Sequence, residues 1–196
     1  VIYRDQAGLP KGLEPDEVRR ILTSCDTTSD NGVRDLAILT LLVRLGLRRC
    51  EVSRLGLDDI DWRAGTICVH GKGNCLERLP LPVDVGHYLA QYLRHARPAK
   101  ARGRTVFVRH FAPYNALSAS RVSTIVADAA RRAGVGRVHA HRLRHTAATQ
   151  LLRAGASLPE VGQVLRHRRA QTTAIYAKVD RDTLRMIAGP WPEDAQ

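Results

Sequence analysis

The sequence predicts a mainly α-helical fold with a small antiparallel β-sheet (α+β), and three observations carry that prediction. Apolar residues recur at helical spacing through much of the chain, as in Val85, Tyr88, Leu89, Tyr92 and Leu93, and again in Leu143, Ala147 and Leu151. One stretch has strand character instead, with Ile67 and Val69 alternating with more polar residues. It is followed by Gly71-Lys72-Gly73-Asn74, a tight-turn signal that brings a second arm back against it. At 196 residues, 44% of them hydrophobic, the chain is long enough for one domain with its own core, with or without a short extension.

Each element follows from local chemistry. Residues 1–12 read as a linker-like lead-in. A first helix starts after Pro15 and runs to about Ser24, and Asp26 to Asn31 forms a turn. A second helix, about 33–45, is apolar nearly all round and is therefore buried; Gly46 breaks it. A short helix at about 48–55 ends near Gly56. Asp58 to Trp62 leads through a turn at Ala64-Gly65 into a strand, Thr66 to His70, whose partner arm is Glu77 to Leu81 with Pro80 marking an edge. Residues 83–96 form a helix, 98–104 a basic loop, and Thr105 to Arg109 a short strand. Ser118 or Ser120 caps the next helix, which has Val122, Ile125, Val126 and Ala129 on its inner face and is ended by Gly134 and Gly136. Helices at 141–154 and 158–166 follow, the second capped by Ser157. Residues 172–178 are short and helical, and a last helical piece spans 181–188.

Several function classes are excluded. The first residues, Val1-Ile2-Tyr3-Arg4-Asp5, lack the apolar run of a secretory leader. The most apolar stretch, Leu36 to Leu47, is interrupted by Arg44 and falls short of the ~20 apolar residues that span a bilayer. Cys25, Cys50, Cys68 and Cys75 show neither CxxC nor zinc-finger spacing, so reduced thiols in the cytoplasm are expected and no disulfide framework.

Charge points to a partner. Residues 1–84 hold 12 Lys and Arg against 13 Asp and Glu, residues 85–179 hold 17 against two, and residues 180–196 hold two against four, for a net charge of +12. A 95-residue segment with almost no interspersed acid favours a polyanion, above all nucleic acid. Arginine dominates, which suits bidentate phosphate contacts. The cations expected to contact DNA are Arg94, Arg97, Lys100, Arg102, Arg104, Arg142, Arg166 and Arg168.

Candidate chemistry sits in four places. His141, Arg144 and His145 are related as i, i+3 and i+4 and share one helix face, fit for a phosphate; a zinc site at the two histidines is opposed by the cation between them. Arg48 stands at a helix start with Glu51 three residues on, able to orient it. Lys72 lies in the glycine-flanked turn. Tyr176 comes nine residues after His167. Asp58, Asp59 and Asp61 form a carboxylate cluster, but aspartate has ordinary roles in turns, and no metal site is expected.

Taken in order, these pieces resemble the tyrosine recombinase (phage integrase) family over about residues 12–182. The family pattern is Gly-Leu-Arg-x-x-Glu, a hairpin Gly-Lys-Gly, His-x-Leu-Arg-His, Leu-Gly-His and Thr-Thr-x-x-Tyr. Here it reads Gly46-Leu47-Arg48 with Glu51, Gly71-Lys72-Gly73, His141 through His145, Leu165-Arg166-His167, and Thr172-Thr173 with Tyr176. Three positions depart from it: Arg166 replaces the usual glycine, Ala140 a frequent proline, and Cys75 a frequent lysine.

The resemblance implies the catalytic-domain fold of that family over residues 13–180, with 181–196 as a tail that packs on a neighbouring protomer. Family members carry a helical core-binding domain ahead of it, which is expected to be absent from this chain. It implies a site-specific DNA recombinase or integrase with a 3′-phosphotyrosyl intermediate on Tyr176. Arg48, Arg144 and His167 would bind the phosphate, His141 would accept or relay a proton, and Lys72 would act as general acid. Glu51 and His145 would support them. No cofactor or metal is implied. The partners are double-stranded DNA and other copies of the chain, in a tetramer on DNA and possible as a monomer without it. Two alternatives stand beside this reading: a type IB topoisomerase-like enzyme, and an inactive DNA-binding remnant of a mobile element.

Overall fold

The computed structural model describes residues 12–71 and 76–166. The lead-in before residue 12, the turn residues 72–75 and the helices expected after residue 166 lie outside the described residues.

The chain starts with α1 (Pro15–Thr23), α2 (Asp30–Arg44) and α3 (Arg49–Arg54). The core is built around α2, whose Ile38, Leu39, Leu41 and Leu42 are completely buried. Each such side chain removed from water contributes roughly 1.5–3 kcal/mol before entropy is subtracted. The helix is lined on several sides by other elements, which is why it reads as apolar all round. It begins three residues earlier than the sequence predicts. Ser29 Oγ accepts from Gly32 N at 3.1 Å, and a Cβ on Gly32 would fall 1.8 Å from Asp26 O. The glycine is therefore required by the approach of the preceding turn to the first helical turn.

A three-stranded antiparallel sheet follows, β1 (Ile60–Asp61), β2 (Thr66–His70) and β3 (Leu76–Pro80), in the order β1-β2-β3. Ile67 pairs with Ile60 on one side and Leu79 on the other. Ile67 and Val69 point into the core, as their alternation requires. The aspartates before and in β1 have turn and ion-pair roles. Asp59 accepts from Gly56 N at 2.7 Å and bonds His70 Nε2 at 2.9 Å, Asp58 pairs with Arg104, and Asp61 accepts from Arg63 N and Ala64 N. Among the described residues no group of acids, histidines and cysteines is arranged to hold a metal.

The helix expected at 83–96 is α4 (Val83–Gln91) running into a five-residue π turn, Tyr92–Ala96. Tyr92 is wholly buried and its ring stacks on Phe107 at 5.3 Å. The strand expected at 105–109 does not form. The segment makes two isolated bridges, Gly56↔Thr105 and Val108↔Ala116. Val106 N donates to Leu55 O at 2.8 Å, while Phe107 O accepts from Leu117 N at 3.0 Å. The backbone changes partner within two residues, so no ladder propagates, and Val106, Phe107 and Val108 are all buried rather than alternating.

The second half is helical: α5 (Ala119–Arg132), α6 (Ala140–Arg153) and α7 (Leu158–Val164). Ser118, not Ser120, caps α5 by accepting from Arg121 N at 3.2 Å. α6 packs on α2 and α7 on α6. Ser157 caps α7, and Glu160 Oε2 reaches back to Ser157 N at 2.7 Å, the reciprocal arrangement of a capping box. α7 ends two residues earlier than predicted because Arg166 adopts φ +55°, outside the right-handed helix. Cys25, Cys50 and Cys68 are free thiols. No helix of the described residues is long and apolar enough to cross a membrane.

Candidate active site

The loop from α2 to α3 and the first turns of α6 meet at a cleft of about 220 Å³ lined by Leu47, Arg48, Arg49, Cys50, Ala140, His141 and Arg144. A water molecule occupies ~30 Å³ in the liquid, so an anion the size of a phosphate group has room here. Gly46 opens the loop at φ +56°, and a Cβ there would lie 2.6 Å from Leu165 Cδ2. The left-handed turn and this close approach both require glycine.

Arg48 is the residue just before α3, with extended backbone (φ −76°, ψ 150°). Its amide donates to Glu51 Oε2 at 2.7 Å and its Nη1 donates to Glu51 Oε1 at 2.6 Å. Glu51 is therefore no ordinary surface partner. Its side chain is 2% exposed while that of Arg48 is 38% exposed, so the carboxylate is an internal strut and the guanidinium faces the cleft. Burial pushes the Glu51 carboxyl up, but the charge of Arg166 and the hydrogen bonds and charge of Arg48 outweigh it and hold the group below the usual glutamate range.

Arg144 is buried on α6, and its guanidinium donates to the carbonyls of Gly46 and Leu165. It ties the α2–α3 loop to the end of α7. His141, one turn earlier, is exposed at the cleft. Its ring meets that of His145 edge-on at 4.3 Å. Partial burial and then the charges of Arg144 and Arg48 push His141 below its ordinary value, leaving it neutral and able to take a proton at pH 7. His145 is buried and pushed down to about 4 by burial, by His141 and by Arg144. The cleft also borders the first turn of α6, where the helix dipole favours negative charge. Two guanidiniums, a neutral histidine and a helix start converging on one cavity can bind an anion and exchange a proton beside it.

Of the residues singled out in the sequence, Arg48, Glu51, His141, Arg144 and His145 come together here. Lys72, His167, Arg168 and Tyr176 lie outside the described residues. The eight cations expected to contact DNA occupy different environments. Arg166 is buried, with Nη2 on Glu51 Oε2 at 2.8 Å and Nη1 on Val164 O at 3.1 Å. Arg97 donates to the carbonyls of Gly103, Thr105 and Val106, closing the basic loop. Arg104 pairs with Asp58 on the surface. Arg94, Lys100 and Arg102 are exposed, and Arg142 is half-buried on α6. Arg49 was missed. It lines the cleft and donates to Ser123 Oγ on α5 at 3.1 Å; its place next to Arg48 was the only available signal.

The model of the phage integrase family matches residues 11–182. This chain belongs to that family. Within it, the chain is 48% identical over 193 residues to a Sinorhizobium fredii protein named integrase/recombinase y4rA, covering 97% of this chain and 47% of that protein. It is 36% identical over 184 residues to the tyrosine recombinase XerD of Listeria innocua, covering 91% of this chain and 61% of XerD. The chain thus spans about half the length of y4rA and three-fifths that of XerD. Another S. fredii relative, y4gC, is 40% identical and is covered over 95% of its length. Among solved structures, the XerA recombinase matches with a TM-score of 0.81 at 24% identity, over 97% of this chain and 68% of XerA. XerH, bound to its difH substrate after cleavage, matches at 0.79 and 24%, over 97% and 58%. These likenesses show that the helical fold with its small sheet is that of the tyrosine recombinases.

Proposed function

We propose that residues 13–180 are the catalytic domain of a site-specific DNA recombinase that cleaves and rejoins DNA through a 3′-phosphotyrosyl link to Tyr176. The observation that carries this reading is the cleft in which Arg48, Arg144 and His141 converge. The names of XerD and the other relatives support it.

The scissile phosphate sits in the cleft, and the guanidinium of Arg48 and that of Arg144 donate to its non-bridging oxygens, where negative charge grows during transfer. His167 adds a donor. The Tyr176 oxygen attacks phosphorus and its proton passes to His141, which is neutral and ready to accept it. Tyrosine ordinarily holds that proton to about pH 10, so an acceptor is needed. The bond from phosphorus to the sugar 5′ oxygen breaks, and Lys72 delivers the proton that oxygen requires. Phosphorus keeps one ester bond for another, so reversal needs no external energy source. Glu51 and His145 hold Arg48, His141 and Arg144 in place. Exposed Arg94, Lys100 and Arg102, together with Arg142 and Arg168, contribute to duplex binding, recombination proceeds in a tetramer on DNA, and residues 181–196 pack on a neighbouring protomer.

The test is covalent trapping. Nicked duplexes from candidate element ends and supercoiled plasmid are mixed with the protein and resolved under denaturing conditions, with Tyr176→Phe as control. A metal-independent protein–DNA adduct that disappears in the control is expected. An adduct that persists in Tyr176→Phe refutes the nucleophile, and absence of adduct in both, with duplex binding intact, refutes the enzyme.

A further inference from the structure

Arg166 stands where the family pattern has glycine, and it keeps the backbone shape of a glycine at φ +55°. An L-residue with a large side chain is disfavoured in that region by the contact of its Cβ with the backbone. Only Tyr114 and Arg166 among the described non-glycine residues have positive φ. The side chain that occupies this unfavourable position is not displayed to solvent. It is 2% exposed and turns inward to Glu51, 115 residues away in sequence.

The contacts form a closed ring. Glu51 Oε1 takes Nη1 of Arg48, and Glu51 Oε2 takes both the amide of Arg48 and Nη2 of Arg166. Nη2 of Arg48 donates in turn to the carbonyl of Arg166 at 3.2 Å. Both η nitrogens of Arg48 are thus held by groups that residue 166 fixes, one directly by its carbonyl and one through Glu51. The left-handed backbone at 166 sets where that carbonyl lies.

Arg48 and Glu51 alone form a neutral pair, and a neutral pair is a poor receptor for a phosphate. Arg166 makes the group cation–anion–cation, with net charge +1, while leaving the outward edge of Arg48 open to the cleft. Glu77 Oε2 lies 4.0 Å from Arg166 Nε, but at 38% exposure it is screened by solvent, and Glu51 dominates.

We propose that Arg166 is a positioning residue for the anion cleft: it locks the guanidinium of Arg48 through Glu51 and its own carbonyl, and offsets the carboxylate so that Arg48 meets an anion as a full cation. The inference rests on the reading of the cleft as a phosphate site.

The experiment follows the Arg48 side chain by proton–nitrogen NMR while inorganic phosphate is titrated into the full chain. The Arg48 Nε–H signal is identified by its loss in Arg48→Lys. Arg166→Gly suits the left-handed backbone and removes the side chain; Arg166→Asn, also tolerant of that region, serves if the glycine variant does not fold. Expected are a sharp, phosphate-responsive signal in the parent, and in Arg166→Gly an exchange-broadened signal with phosphate affinity about tenfold weaker, the loss of one charge-assisted contact. Adding Glu51→Gln to Arg166→Gly restores the cluster charge and recovers part of the affinity while the Arg48 signal stays broadened, which a merely structural role for Arg166 would not produce. An Arg48 signal that stays sharp with unchanged affinity in Arg166→Gly overturns the proposal alone. An Arg48 signal blind to phosphate in the parent overturns the phosphate reading of the cleft and the proposal with it. No recovery in the double variant overturns the charge offset.

Discussion

Replacing Glu51 by glutamine tests the internal strut of the site. The side chain is buried to 2% exposure and accepts three hydrogen bonds, at 2.6 and 2.7 Å from Arg48 and 2.8 Å from Arg166. Glutamine keeps the shape but leaves two guanidiniums facing each other with no charge between them, and turns one acceptor oxygen into a donor. Removing one partner of a buried ion pair costs about 3–5 kcal/mol, and because glutamine keeps one acceptor we take the lower end. For a domain of this size that lowers the thermal midpoint by about 6–12 °C. The pH dependence checks the origin. The folded carboxyl is held below its ordinary range, so its contribution is present above the unfolded value of about 4.3 and is lost as pH falls through the lower folded value. Circular dichroism melts of parent and Glu51→Gln from neutral pH down to about 3 should therefore draw closer as pH falls below about 4.3. A midpoint moved by less than about 2 °C at neutral pH, or two curves that stay parallel to the acid end, would refute the view that this carboxylate holds both cations.

Other expectations follow from the same geometry. Gly46→Ala places a Cβ at φ +56° and 2.6 Å from Leu165 Cδ2, so a loss of at least about 2 kcal/mol is expected in urea melts; an unchanged midpoint would show that the loop yields freely. Gly32→Ala should destabilise as well, although alanine is better than glycine in most helices by roughly 0.5–1 kcal/mol, because its Cβ meets Asp26 O; a stabilised variant would contradict the fold at that turn. His145, held near 4, takes up its proton more readily unfolded, so its stability contribution is full above about pH 6.5 and falls as pH drops toward 4. His145→Gln should flatten that window, and an NMR titration of the His145 ring with a midpoint near 6.5 would count against it. Duplex affinity should fall steeply between about 50 and 200 mM salt, and a flat response would deny the basic half its role.

The parts of the fold that were legible in the sequence are those set by local pattern. The amphipathic spacing of α4 to α6, the alternation of Ile67 and Val69, and the Ser157 cap each depend on residues within a few positions of one another. Where prediction failed, the cause lies across the chain. The segment 105–109 reads as a strand in isolation, but its hydrogen bonds go first to residues 55–57 and then to residues 115–117. α2 begins before the predicted residue 33 because Asp30 and Asn31, assigned to the turn, join the helix under the Ser29 cap, and the close approach of Asp26 to Gly32 is not visible in local sequence. The ordered motifs located Arg48, His141 and Arg144 without showing that Glu51 is buried.

The basic half shows the limit most clearly. Counting charge along the sequence treats a cation as free when no acid is near it in number, and residues 85–179 hold only two acids. Folding supplies acids from the other half: Asp58 to Arg104, Glu14 to Arg153, Glu51 to Arg166. Segregation of charge in sequence therefore overstates segregation in space. The three pairings differ in consequence. Arg104 with Asp58 and Arg153 with Glu14 are exposed pairs, screened by solvent, and either arginine can exchange its carboxylate for a phosphate at little cost. Arg166 cannot, because its partner is buried beside Arg48 and releasing it would strand a carboxylate in the core. The same residue type thus serves as a surface cation at two places and as part of the site's frame at a third, and burial of the acid decides which.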